Sequence, residues 1–121
     1  MSQPDATQIF HNPSCSKSRG ALAILEERGI DADVVKYLDT PPDRATLERI
    51  LDAIDEAPSA LVRTDDKKFK DLGLQAGDYT DREAVIGLLL EQPALMQRPV
   101  VFVGDKAVIA RPSEKVLDLL D

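Results

Sequence analysis

The sequence is poorest in the residues that metal and disulfide chemistry demand, with one cysteine and one histidine in 121 residues. A lone cysteine forms no internal disulfide and cannot by itself build a thiolate metal site. A lone histidine closes off most transition-metal sites as well. Long apolar runs are also missing: the longest, 21–25 and 100–103, are core-sized and far short of the ~20 residues of a membrane span. Residues 1–7 are polar and lack the basic flank and apolar stretch of a secretory signal. Repeats, low-complexity tracts and dividing linkers are absent too. Basic residues are in deficit, 15 against 22 acidic, for a net charge of −7, so the overall field repels nucleic acid and anionic lipid. What remains is ordinary globular material, 43% hydrophobic and 31% charged. The expectation is a soluble, cytoplasmic, single domain over residues 1–121, with 1–7 as a flexible tail and neither nucleic acid nor membrane as a direct partner.

The apolar pattern places the elements. Residues 8–11 read as a strand ended by Asn12-Pro13, and a helix follows over about 16–28, with Ala21, Leu22 and Leu25 on one face and Gly29 as its stop. Residues 33–38 form a second β-rich run. Pro41-Pro42-Asp43 opens a helix bearing Leu47, Ile50, Leu51 and Ile54. Short helices are expected at 58–62 and 66–72 and a longer one at 81–91, before Pro93 forces a turn near Leu95-Met96. Residues 100–103 and 107–110 flank Gly104-Asp105-Lys106 as a hairpin. Ser113 and Glu114 start a last helix with Val116, Leu117 and Leu120 facing inward. The order is β-α-β, a helical insert, then β-β-α. The first half requires a right-handed parallel crossover and the second adds an antiparallel pair. This α/β plan resembles the thioredoxin-like one, a mixed four-stranded sheet flanked by helices.

Cys15 falls between strand and helix, within His11-Asn12-Pro13-Ser14-Cys15-Ser16-Lys17-Ser18-Arg19. Free amides at a helix start, with Lys17 and Arg19 nearby, favour thiolate over thiol and could bring the pKa from about 8.5 toward 7. The same amides can cradle an oxyanion, so nucleophile and anion site coincide. A lone cysteine is more often a small buried hydrophobe, yet Ser14, Ser16 and Lys17 are poor neighbours for a core position. His11 either orients the thiolate or caps the strand end, and the residues leave both open. Two rival motifs fail on counting: Ser18 stands where a Cys-x-x-Cys pair needs its second thiol, and Ala21 where a tyrosine-phosphatase loop needs arginine.

Arg63, Arg98 and Arg111 stand at element ends. The antiparallel hairpin would put Arg98 and Arg111 at one edge, repelling each other unless an anion lies between them. Guanidinium forks suit oxyanions because they donate paired hydrogen bonds. The acidic stretches 31–33, 52–56 and 65–66 read as solvated faces. Arg98-Pro99 could be cis, as at the equivalent strand start in thioredoxin-like folds.

Taken together, His11-Asn12-Pro13-Ser14-Cys15 with Ser18-Arg19, then Tyr37-Leu38-Asp39-Thr40-Pro41-Pro42, Leu61-Val62-Arg63, Arg98-Pro99-Val100-Val101 and Arg111-Pro112-Ser113, resemble the glutaredoxin-coupled arsenate reductase family over nearly the whole chain. The resemblance implies Cys15 as the thiolate that attacks arsenate or a similar oxyanion. It implies Arg63, Arg98 and Arg111 as the groups that hold the anion, and His11 as a residue that helps lower the thiol pKa. It further implies glutathione as co-substrate and glutaredoxin as partner, with no metal and no tightly bound cofactor. A related branch of the same fold consists of transcriptional regulators that bind RNA polymerase, and a binding module without arsenate turnover is the alternative expectation.

Overall fold

The computed structural model describes residues 7–119. The chain divides into two compact units, Met1–Thr40 with Arg98–Asp121, and Pro41–Gln97. The second is the helical insert read from the sequence.

The first unit holds the sheet. Strands β1 (Thr7–His11), β2 (Asp33–Lys36), β3 (Val100–Val103) and β4 (Lys106–Ile109) lie in the order β2-β1-β3-β4. β1 runs parallel to β2 and antiparallel to β3, and β3 is antiparallel to β4. The architecture is therefore the expected α/β one with a mixed four-stranded sheet. Helix α1 (Ser16–Glu27) makes the crossover between β1 and β2 and stops at Gly29, whose φ of 71° only glycine adopts cheaply. Ile9, Ala21, Leu25, Val101, Ala110 and Val116 form a core between α1, the sheet and a terminal 3₁₀ helix, Ser113–Leu119. Gly104 and Asp105 make the two-residue turn of the β3–β4 hairpin, with Gly104 at φ 64°. A glycine at the first central position is what a type II′ turn requires.

The second unit is built on α2 (Arg44–Ala53), α3 (Lys67–Asp71) and α4 (Arg82–Glu91), with 3₁₀ segments at Pro58–Leu61, Ala76–Asp78 and Pro93–Leu95. α4 packs against α2 and against the first and last of these segments. Leu47, Ile50, Leu61, Val85, Ile86, Leu89, Leu95 and Met96 are fully buried. Each α-helix here begins at an aspartate whose carboxylate accepts a backbone N–H: Asp43 from Thr46, Asp66 from Lys68, Asp81 from Ala84. Such caps each contribute about 1 kcal/mol.

Several boundaries differ from the sequence reading. β2 ends at Lys36, because the amides of Asp39 and Thr40 both turn back to the Lys36 carbonyl at 2.9 Å. Tyr37 and Leu38 thus leave the sheet. The last helix is 3₁₀ rather than α, and β4 sits one residue earlier than expected. Thr7 belongs to β1 and is buried, opposite Val103, rather than to a tail. The rest of the expected tail, and Leu120, lie outside the described residues. The acidic stretches are also less free than solvated faces: Asp52 pairs with Arg82 at 2.6 Å and Asp66 with Arg63 at 2.9 Å.

Gly20 lets α1 approach Ser113 closely. A Cβ there would meet Ser113 Oγ at 2.6 Å and Ser113 Cβ at 3.2 Å, while that hydroxyl donates to the Lys17 carbonyl at 2.8 Å. Alanine favours a helix over glycine by up to ~1 kcal/mol, but overpacking costs ~1–3 kcal/mol. Gly20→Ala is therefore expected to lower unfolding free energy by about 1 kcal/mol in a urea titration. Unchanged or raised stability would show that the terminal helix does not hold this contact.

Candidate active site

Cys15 is the N-cap residue of α1, with extended backbone (φ −98°, ψ 123°). The loop that delivers it is fixed by Asn12. The Asn12 carbonyl accepts the Cys15 N–H at 2.9 Å, its side-chain Oδ1 accepts the Ser14 N–H at 3.0 Å, and its own N–H reaches Ser18 Oγ at 3.3 Å. Ser18 is fully buried. In the sequence it registers as the absence of a second thiol and as part of the Ser18-Arg19 motif; in the structure it ties the loop to the helix. Arg19 Nη1 closes the loop from outside by donating to the Pro13 carbonyl at 2.9 Å.

Unlike α2, α3 and α4, α1 has no side-chain cap bond, and like α2 and α3 it has no acidic residue in its first turn. Its amides are left for an anion, and the nearest candidate is the Cys15 sulfur. Burial pushes the thiol pKa up, but the N–H groups of Ser18 and Lys17 and the guanidinium of Arg98 outweigh it, bringing the pKa down to about 7. The cation that acts is thus Arg98, not the expected Arg19, which is spent on Pro13. Arg111 Nη1 lies 3.9 Å from Sγ, a long hydrogen bond, and also donates to the Arg98 carbonyl at 3.0 Å. Arg98 and Arg111 are brought together beside Cys15, each followed by a cis proline. The Ala110 N–H to Pro99 carbonyl bond, 2.9 Å, sets that pairing.

His11 ends β1 and is buried, with Nδ1 unpartnered. Burial, then the charges of Lys36 and Arg19, lower its pKa below the usual 6.5. The groups that lower the Cys15 pKa are the helix amides and Arg98. Arg63 belongs to the helical unit. Its N–H donates to the Leu95 carbonyl at 2.8 Å, next to the Val62–Met96 bridge, and its guanidinium pairs with Asp66, both side chains about one-fifth exposed (22% and 23%).

Sequence reasoning passed over Tyr37, which is fully buried near the thiol. The signal was the register: β1 and β2 pair in parallel with His11 opposite Lys36, so Tyr37 follows beside Asn12. Among the described residues no cluster of histidine, cysteine and carboxylates could hold a metal ion. A groove of about 430 Å³ in the helical unit, bordered by Leu72, Tyr79, Glu83, Leu88 and Glu91, carries no thiol, histidine or basic side chain.

The arrangement sets a measurable midpoint. Alkylation of Cys15 by iodoacetamide is expected to rise with pH through a midpoint near 7, where an ordinary thiol gives about 8.5. The reactive thiolate is present above that midpoint and lost as pH falls through it. Arg98→Met removes a cation and is expected to raise the midpoint by about one unit; an unchanged midpoint would assign the whole shift to the helix amides.

Residues 10–119 match the ArsC family, a span that contains Cys15, Arg63, Arg98 and Arg111. An arsenate reductase of Neisseria meningitidis serogroup A is 46% identical over 110 residues, covering 90% of this chain and 93% of that protein. The uncharacterized protein YfgD of Escherichia coli K12 is 41% identical over 114 residues, covering 93% of this chain and 95% of its own. Among solved structures, an arsenate reductase from Vibrio cholerae superposes with a TM-score of 0.85 at 36% identity, over 96% of this chain and 98% of that one. A family match that spans both units, with relatives this similar over nearly their full length, means that the chain belongs to the ArsC family.

Proposed function

We propose that this protein reduces arsenate to arsenite, with Cys15 as nucleophile, glutathione as reductant and glutaredoxin as the protein that regenerates it. The observation that carries the reading is the thiol at the uncapped start of α1, with a pKa near 7 and two arginines beside it. Arsenate reductases among its relatives support the choice of substrate.

The chemistry follows from the residue count. Cys15 thiolate attacks arsenic, an As–S bond forms, and one As–O bond breaks, its oxygen leaving as water after taking up protons from solvent. Arg98 and Arg111 donate to the oxygens of the crowded intermediate, where charge concentrates. Arg63 is the third donor in this reading. Without a second cysteine in the chain, an outside thiol must finish the reduction. Glutathione thiolate attacks Sγ of the adduct; an S–S bond forms, the S–As bond breaks, and its electron pair stays on arsenic, which leaves as arsenite. The Cys15–glutathione disulfide is then cleared by the glutaredoxin thiol through ordinary exchange.

The test is arsenate-dependent NADPH oxidation with glutathione, glutaredoxin and glutathione reductase supplied. Wild type is expected to turn over and Cys15→Ser to give no rate above background; absence of turnover by a folded wild type would overturn the assignment. The Asp66 carboxylate competes with an anion for Arg63. Asp66→Asn keeps a good capping residue at the start of α3 and is expected to lower the arsenate KM a few-fold, on the scale of a partly exposed ion pair. An unchanged KM would exclude that competition.

A further inference from the structure

Among the described residues of the sheet unit, three buried polar atoms have no hydrogen-bond partner: His11 Nδ1, Tyr37 Oη and Arg98 Nε. All three stand where one end of the sheet opens toward Cys15. β1 and β2 end there together at His11 and Lys36, β3 begins there just after Arg98, and β4 ends there just before Arg111. Tyr37 is the first residue past β2 and Asn12 the first past β1, so the phenol comes alongside the loop that carries the thiol.

A wholly buried tyrosine ordinarily finds a partner for its hydroxyl, because an unpaired donor shut off from water is costly. Here Oη closes no bond of ordinary geometry, yet three groups of the site lie near enough to act on it. Burial, with the Cys15 sulfur beside it, opposes ionisation and outweighs Arg98 and Asn12, which favour the ionised form. The phenol therefore keeps its proton. Its oxygen lies near two donor-bearing side chains, Asn12 and Arg98, which leaves its O–H for an acceptor on the Cys15 side, the sulfur or an anion brought to it.

We propose that the Tyr37 hydroxyl is a hydrogen-bond donor to the oxyanion bound at Cys15, completing a set with the unpartnered Arg98 Nε–H and the Arg111 guanidinium. The proposal rests on the arsenate reading and adds a neutral donor to it. No bond is made or broken by Tyr37; its proton stays on the phenol, and the bond it gives strengthens as negative charge builds on the arsenic oxygens. The ligand class is a tetrahedral oxyanion, which offers several acceptors to donors arriving from different strand ends.

The experiment measures how much arsenate protects Cys15 from iodoacetamide in wild type and in Tyr37→Phe. Protection is taken as the ratio of rates with and without arsenate at one pH, so a changed thiolate fraction cancels. Phenylalanine keeps the ring and its packing. Wild type is expected to be protected and Tyr37→Phe to need about tenfold more arsenate, the scale of a hydrogen bond to a charged group. In the coupled assay the loss is expected in the arsenate KM, with the glutathione KM unmoved. Equal protection of the two proteins overturns the proposal and leaves the arsenate reading intact. No protection of the folded wild type overturns both. A Tyr37→Phe protein that melts lower, with both KM values raised together, assigns the residue to packing and also overturns it.

Discussion

The site depends on holding a negative sulfur in a place that burial disfavours. Cys15 is only 9% exposed, and desolvation alone would keep it a thiol. What reverses this is a fixed field: the uncapped amides of α1 and the Arg98 charge. Those amides are available because of one sequence choice. α2, α3 and α4 each spend an aspartate on their own first turn. α1 has a cysteine in that position and no acidic residue behind it. The helix forgoes the usual cap stabilisation of ~1 kcal/mol, and the donors so released face a nucleophile. The same donors and cations that favour thiolate would favour any anion brought to it, so activating a nucleophile and attracting an anion are two results of one field.

The sheet aims the rest of the site. Because β1 and β2 are parallel while β3 runs against them, three strands present their ends and starts together, and the antiparallel hairpin returns Arg111 to the level of Arg98. No single element contributes more than one or two of the functional groups. Their convergence is a property of topology and register, which explains why residues at positions 12, 15, 37, 98 and 111 come to one end of the sheet.

Much of this was legible beforehand, and the parts that were not share a cause. Strong periodicity and clear punctuation placed α1, α2 and α4 within a residue or two, and the apolar run before Gly104 placed β3. Strand pairing put Arg98 and Arg111 at one edge. What failed were inferences from neighbourhood along the chain. Arg19 is close to Cys15 in sequence but is occupied by the Pro13 carbonyl, whereas Arg98, remote in sequence, supplies the charge. Asp66 reads as one more solvated acid, yet it caps α3 and pairs with Arg63 at once. Tyr37 reads as part of a strand, and only the turn onto the Lys36 carbonyl takes it out of the sheet and toward Asn12. Local spacing reports backbone conformation well; it says little about which side chains compete for the same partner.

His11 shows how the same field limits its own members. A histidine beside a thiol is the usual means of making a thiolate, through an imidazolium that donates its charge. Here the surroundings that stabilise anions at Cys15 are cationic, and burial, then the charges of Lys36 and Arg19, lower the His11 pKa and disfavour its charged form. A second positive charge would have to be accommodated among cations already in place. A neutral imidazole next to the same loop can still hydrogen-bond, and its unpartnered Nδ1 is free to do so with a ligand oxygen or a water that accompanies it. The division of labour is then by charge. Arg98 and the helix amides carry the charge that favours the thiolate, while His11, with its pKa lowered, and the Tyr37 phenol, with its pKa raised, add nothing to the repulsion among the cations.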